Sequence, residues 1–228
     1  MAQLAFHTPS APVLPTTQSD VYLPVRRIFC VGRNYSEHAI EMGNDPAEPP
    51  FFFTKPGDAI VRSGSEIPFP KATQNLHHEA ELVVIIGKSG SDIAVENALS
   101  HVWGYAAGND LTRRDIQSKA KEQRRPWDMA KGFDRSAVIG TAAPVSQVGH
   151  LNAGRITCHV DNELRQDSDL SRMIWPTADV ISYLSGLVDL APGDLIMTGT
   201  PAGVGPIQSG QTCDVDIDGL APASVTFR

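Results

Sequence analysis

The segment His77-His-Glu79-Ala-Glu81 runs directly into the apolar stretch 82–86. Side chains at i and i+2 of a strand leave the same face, so Glu79 and Glu81 would stand side by side at the mouth of a buried strand. Two like charges beside an apolar core repel each other and are costly to desolvate. A divalent cation relieves both costs, and oxygen-only donors suit a hard ion such as Mg²⁺ or Mn²⁺. Without an ion, the same pattern describes a polar strand end with both carboxylates in water. Asp110 is the natural third ligand, because it stands where the small-residue stretch 104–108 ends and a helix is expected. Three carboxylates would fill about half of an octahedral shell and leave room for a bidentate substrate and water. The other reading of Asp110 is the N-cap of a helix beginning at Leu111.

Further residues could complete a reaction centre. His38 and Glu41 form an H-x-x-E pair, and i, i+3 positions on a helical turn lie side by side. The pair would make a general base able to take a proton from water, or simply a solvent-exposed helix pair. It lies between Gly32 and Gly43-Asn44, which suggests a segment that orders when substrate arrives, a lid. Lys131, in Trp127-Asp-Met-Ala-Lys131-Gly-Phe133, could donate to a developing oxyanion or snorkel along the surface. Arg114 and Gln117 share a helix face and could clamp a substrate carboxylate. Thr198-Gly-Thr-Pro-Ala-Gly-Val-Gly205 lacks the Lys-Ser/Thr ending of a P-loop; it reads as a tight loop offering backbone amides and the Thr200 hydroxyl to an anion. No Ser/His/Asp arrangement and no nucleophilic cysteine pattern can be read from the chain.

The elements that must position these groups are short strands with a few helices between them. Strands are expected over 26–31, within the aromatic run 48–56, and over 79–87, 102–109, 194–199, 212–218 and 224–228. Asp161-Asn162 between 156–160 and 163–166 suggests a hairpin. Helices are expected over 36–42, 93–101, 110–123 and 176–190. In the last of these, Val180, Ile181, Leu184, Leu187 and Val188 fall on one face before Pro192-Gly193 stops it. The βα alternation is too irregular for a doubly wound sheet, so the class is a β-rich α+β domain. Residues 1–23, rich in Pro, Ala, Ser and Thr, read as an N-terminal arm or small extension, and 24–228 as the catalytic domain.

Composition narrows the function. At 228 residues, 41% hydrophobic and 20% charged, the chain is an ordinary globular protein. Its net charge of −7 argues against nucleic acid as a partner. No apolar run approaches a membrane span, and the first residues lack the pattern of a signal peptide. Cys30, Cys158 and Cys213 are odd in number and far apart, which argues against disulfides and zinc and for a reducing cytoplasm. There the sequon Asn34-Tyr35-Ser36 has no meaning.

Taken together, five motifs resemble the fumarylacetoacetate hydrolase family, in the family's order over about residues 26–220. They are Cys-Val-Gly-Arg33-Asn-Tyr35 with His38-x-x-Glu41, His77-His-Glu79-x-Glu81, Gly104-Tyr-x-x-x-x-Asp110-x-Thr-x-Arg114-Asp-x-Gln117, Pro126-Trp-x-x-x-Lys131, and Thr198-Gly-Thr-Pro-x-Gly-Val-Gly205. The chain is especially similar to the short acylpyruvate hydrolase branch. The resemblance implies a mixed β-roll or sandwich with peripheral helices, usually a homodimer, with Mg²⁺ or Mn²⁺ on Glu79, Glu81 and Asp110. It implies that His38 and Glu41 activate water, that Lys131 serves the oxyanion, and that Arg33, Arg114, Gln117 and Thr200 contact substrate. The activity implied is C–C hydrolysis of a 2,4-diketo acid, with fumarylpyruvate giving fumarate and pyruvate in gentisate-type aromatic breakdown. Decarboxylation of oxaloacetate, isomerisation of a related unsaturated keto acid, and non-catalytic keto-acid binding are the alternatives. Arg172 departs from the family pattern, and would alter the substrate's distal end if its loop lies near the pocket.

Overall fold

A computed structural model describes residues 11–41 and 49–228. The strand Ala80–Ile86 is buried along its whole length. It pairs antiparallel with Val102–Asp110 on one side and with Asp194–Met197 on the other. Covered faces on both sides explain why it reads as a continuous apolar run rather than an alternation. Its period of two divides it between two cores. Leu82, Val84 and Ile86 enter the larger core, whereas Val83 and Ile85 enter a smaller one with Ile28, Cys30, Leu195 and Met197. Glu79 and Glu81 are in phase with Val83 and Ile85, so they extend the row that faces the smaller core.

These strands belong to an eight-stranded mixed sheet, in the order Phe52–Lys55, Arg27–Val31, Asp194–Met197, Ala80–Ile86, Val102–Asp110, Ala137–Ile139 and Ile60–Arg62, with Ala143–Pro144 also paired to Val102–Asp110. The larger core lies between it and a five-stranded sheet, ordered Glu163–Asp169, Arg155–Val160, Thr212–Ile217, Ala223–Phe227 and Ser65–Ile67. Leu76–His78 joins Thr112–Arg113 and Gly205–Ile207 in a small third sheet. The hairpin at 161–162 forms as expected, with both residues at positive φ, as the tight two-residue turn requires. The β-rich α+β class holds.

Two of the expected helices need correction. The helix expected over 110–123 starts later: Asp110 ends a strand, Thr112–Arg113 forms another, and the helix is Arg114–Glu122. Asp110 is therefore not an N-cap; ladder pairing of Thr112 with His77 claims the backbone that a helix would have used. The helix expected over 176–190 is Thr177–Ser185, and Leu187 is exposed. Within 1–23, a strand Val13–Pro15 pairs with Tyr22–Pro24 and buries Leu14 in the smaller core. Cys158 and Cys213 are distant in sequence, yet their sulfurs lie 3.5 Å apart as buried free thiols. The breaker 43–46 falls outside the described residues. No helix among the described residues is long and apolar enough to cross a membrane.

Candidate active site

Strand register brings the three acidic residues together. Asp110 donates its N–H to the Glu79 carbonyl (2.9 Å), and Glu81 pairs with Gly108 one pleat further along. Glu79, Glu81 and Asp110 thus leave one face of two adjacent antiparallel strands, with one carboxylate oxygen from each within 4.8 Å of the others. All three are buried, with Asp110 at 0% exposure.

Buried carboxylates need compensating charge, and basic side chains supply part of it. Lys131 Nζ lies 2.6 Å from Glu79 Oε2 and 2.8 Å from Asp110 Oδ2. Lys55 Nζ lies 2.7 Å from Asp110 Oδ1. Arg114 Nη2 donates to Glu79 Oε1 at 2.5 Å. Burial alone would raise the Glu79 carboxyl, but Lys131 and Arg114 hold it well below the usual carboxylate range. Lys131 shows the converse: burial opposes its charge, and Asp110 and Glu79 more than offset that.

Glu81 is different. Among the described residues it forms no salt bridge, and its Oε2 accepts only the Gly199 N–H, at 2.8 Å. Burial, then Asp110 and Glu79, push its carboxyl well above the ordinary value. A buried carboxyl whose charged form is disfavoured beside two carboxylates is the chemistry of a donor set short of positive charge. Three converging oxygen donors of this kind fit a hard divalent cation.

The centre opens into a cavity with about 380 Å³ of empty space, part of it continuous with solvent. Glu79, Glu81, Lys131, Arg114, Gln117, Thr200, Arg33 and His38 all line it, so most sequence candidates meet here. His38 Nδ1 lies 3.0 Å from Glu41 Oε2 on the short helix Ser36–Glu41, as the i, i+3 spacing predicts. Glu41 Oε1 accepts the Gly203 N–H at 3.3 Å. Arg114 does not stand free for a ligand: it donates to Gln117 Oε1 (2.6 Å) and His77 Nδ1 (3.3 Å) as well as to Glu79. The Arg33 guanidinium lies over the Phe51 ring, 5.1 Å from its centroid. Arg172, expected near the substrate's distal end, is paired with Glu37 at 2.9 Å, and both are exposed. It lines a neighbouring opening with Tyr35 and Pro201, not the cavity of the acidic centre.

The glycine-rich segment is required by backbone shape. Gly199 and Gly203 have φ of +93° and +94°, and a Cβ on Gly203 would approach the Arg165 carbonyl oxygen to 2.4 Å. Only glycine takes both conformations without strain, and both N–H groups then reach a carboxylate. This loop binds Glu81 and Glu41.

Lys55, Phe53, Lys121 and Trp127 belong to no spacing that points to chemistry, yet Lys55 touches Asp110 and the others line the cavity. One signal was present: Lys55 is the single charge in the aromatic strand Phe52–Lys55, in phase with Phe53. What faced it could not be read.

Comparison with known proteins adds to this geometry. Residues 27–228 match the family model described as fumarylacetoacetate (FAA) hydrolase C-terminal. A fumarylpyruvate hydrolase from Pseudomonas aeruginosa, solved with Mn²⁺ and pyruvate, superposes with a TM-score of 0.96 at 50% identity, covering 99% of each chain. A mitochondrial oxaloacetate decarboxylase from Dictyostelium discoideum is 41% identical over 196 residues, 86% of this chain and 90% of that protein. A mitochondrial oxaloacetate tautomerase from Mus musculus is 40% identical over 203 residues, 89% and 91% respectively.

Proposed function

Because this chain belongs to the fumarylacetoacetate hydrolase family, we propose that it hydrolyses a C–C bond of a 2,4-diketo acid, converting fumarylpyruvate to fumarate and pyruvate. The observation that carries this reading is the meeting of a buried three-carboxylate centre with a His–carboxylate pair at one cavity. Identity of 50% over 99% of a fumarylpyruvate hydrolase supports the substrate.

In this reading Glu79, Glu81 and Asp110 hold Mg²⁺ or Mn²⁺. Bound there, the cation supplies chelation of the α-keto carboxylate end and stabilises negative charge as it develops. Glu41, held between His38 and the Gly203 N–H, takes a proton from water as the water attacks the C4 carbonyl. Lys131 has three N–H donors, of which Glu79 and Asp110 engage two; the third serves the oxyanion. Collapse of the tetrahedral carbon breaks the C3–C4 bond, whose electron pair leaves as the enolate of pyruvate. The proton held by Glu41 returns to C3. Arg33, Gln117 and Thr200 contact the substrate, and Arg114 acts with them while bracing Glu79. A homodimer, a reducing cytoplasm and a place in gentisate-type aromatic breakdown complete the proposal; the three free cysteines accord with that compartment.

The names of the two mitochondrial relatives favour a second reading, decarboxylation or tautomerisation of oxaloacetate at the same centre. An enolate is common to both, but decarboxylation needs no attacking water. The test is kcat/KM for fumarylpyruvate and for oxaloacetate with Mn²⁺, each repeated in chelator. Metal-dependent preference for fumarylpyruvate is expected. Preference for oxaloacetate would replace the hydrolase reading with the second, and consumption of neither would leave a keto-acid-binding protein.

A further inference from the structure

Gln166 belongs to the five-stranded sheet, but its buried side chain works at the candidate site. Its Oε1 accepts the N–H of Ala80 at 3.0 Å, between Glu79 and Glu81, and lies 2.9 Å from His78 Nδ1. Its Nε2 donates to the Pro201 carbonyl and to Thr200 Oγ1, each at 2.8 Å. An amide can usually be turned over, exchanging oxygen and nitrogen. Here the backbone forbids it, because the Ala80 N–H can only donate and the Pro201 carbonyl can only accept. A reversed amide would set donor against donor and acceptor against acceptor.

The orientation has a consequence for Thr200. Both Nε2 protons are committed, one to Pro201 and one to the threonine oxygen. The hydroxyl is left with its own single proton, and no hydrogen bond among the described residues uses it. Thr200 lines the cavity with Glu79, Glu81 and Lys131. We propose that Gln166 is a positioning residue: by donating to Thr200 Oγ1, it commits that hydroxyl to act as a donor toward the carboxylate of the bound keto acid. This rests on the reading of Thr200 as a substrate contact.

The test titrates pyruvate into the Mn²⁺-loaded enzyme by calorimetry, with Mn²⁺ affinity measured separately. Gln166→Met and Thr200→Val should each weaken pyruvate binding roughly ten-fold, the scale of a hydrogen bond to a charged group. The double variant should bind no more weakly than Thr200→Val, Thr200→Ser should stay near wild type, and Mn²⁺ affinity should hold in all of them. Unchanged pyruvate affinity in Gln166→Met, losses that add in full, or a fall in its Mn²⁺ affinity would overturn the positioning role. If Thr200→Val itself binds pyruvate like wild type, the fault lies in the substrate-contact reading. Should Gln166→Met not fold, Gln166→Glu serves instead. As a neutral acid it keeps an acceptor for Ala80 and has one proton, which the Pro201 carbonyl takes, so the same ten-fold loss is expected.

Discussion

Lys55 Nζ lies 2.7 Å from Asp110 Oδ1, and neither side chain is exposed to solvent. The two come from strands that are not neighbours in the sheet, so the curl of the sheet is what joins them. Removing Lys55 leaves the buried Asp110 with Lys131 as its remaining cation beside two other carboxylates, short of compensating charge. Lys55→Met should lower the unfolding free energy of the chelated protein by roughly 3–5 kcal/mol, read from urea denaturation. Saturating Mn²⁺ should restore part of that loss by supplying charge to Asp110. A loss no larger than that of an exposed pair, below about 1 kcal/mol, would mean the contact is not important to the fold.

Glu81 should make the metal-free protein sensitive to pH. Its folded pKa stands above the ordinary 4.5, chiefly through burial and then through Asp110 and Glu79. Between those two values the native state binds a proton that the unfolded chain has released, so stability falls as pH rises through the window. Thermal melts in chelator should show that decline, and Glu81→Gln should flatten it. Parallel slopes for the two proteins would remove Glu81 as its source.

Glu81→Ala should also abolish metal-dependent turnover, because it removes one of three converging donors. Calorimetry with Mn²⁺ should show affinity reduced by at least about 100-fold, the scale of losing a ligand rather than a supporting contact. Wild-type affinity and activity in this variant would eliminate the proposed cation site.

Glu41→Gln keeps the shape at the end of its helix and loses the base. Hydrolysis of fumarylpyruvate should drop by roughly 10²–10⁴-fold while pyruvate and Mn²⁺ still bind. Oxaloacetate decarboxylation, if the enzyme performs it, should survive this change. Preserved hydrolysis would strip Glu41 of the assigned role.

Gly203→Ala tests the loop that holds Glu41. At φ +94° and 2.4 Å from the Arg165 carbonyl, an added Cβ must move the loop and carry the Gly203 N–H away from Glu41. Hydrolysis should fall with Mn²⁺ affinity unchanged, since the Gly203 N–H bonds Glu41, whereas the loop's bond to Glu81 comes from Gly199 four residues earlier. If kcat stays at the wild-type value, the Gly203–Glu41 bond has no part in setting the base.

What the sequence determined on its own was local. A strand's period of two put Glu79 and Glu81 on one face, helical spacing put His38 beside Glu41, and Asn beside Asp marked the hairpin at 161–162. These follow from bond geometry within a few residues, so they survive whatever the rest of the chain does. Tertiary structure decided everything that depended on a partner distant in sequence. Asp110 joined the acidic pair because ladder register set it opposite Glu79, overriding the helix expected at Leu111. Lys131 and Arg114 turned toward the protein's own carboxylates, Lys55 reached the centre through sheet curvature, and Gln166 crossed from the other sheet to Thr200. Spacing in a sequence fixes which face a side chain leaves; only the packed chain fixes what stands opposite it.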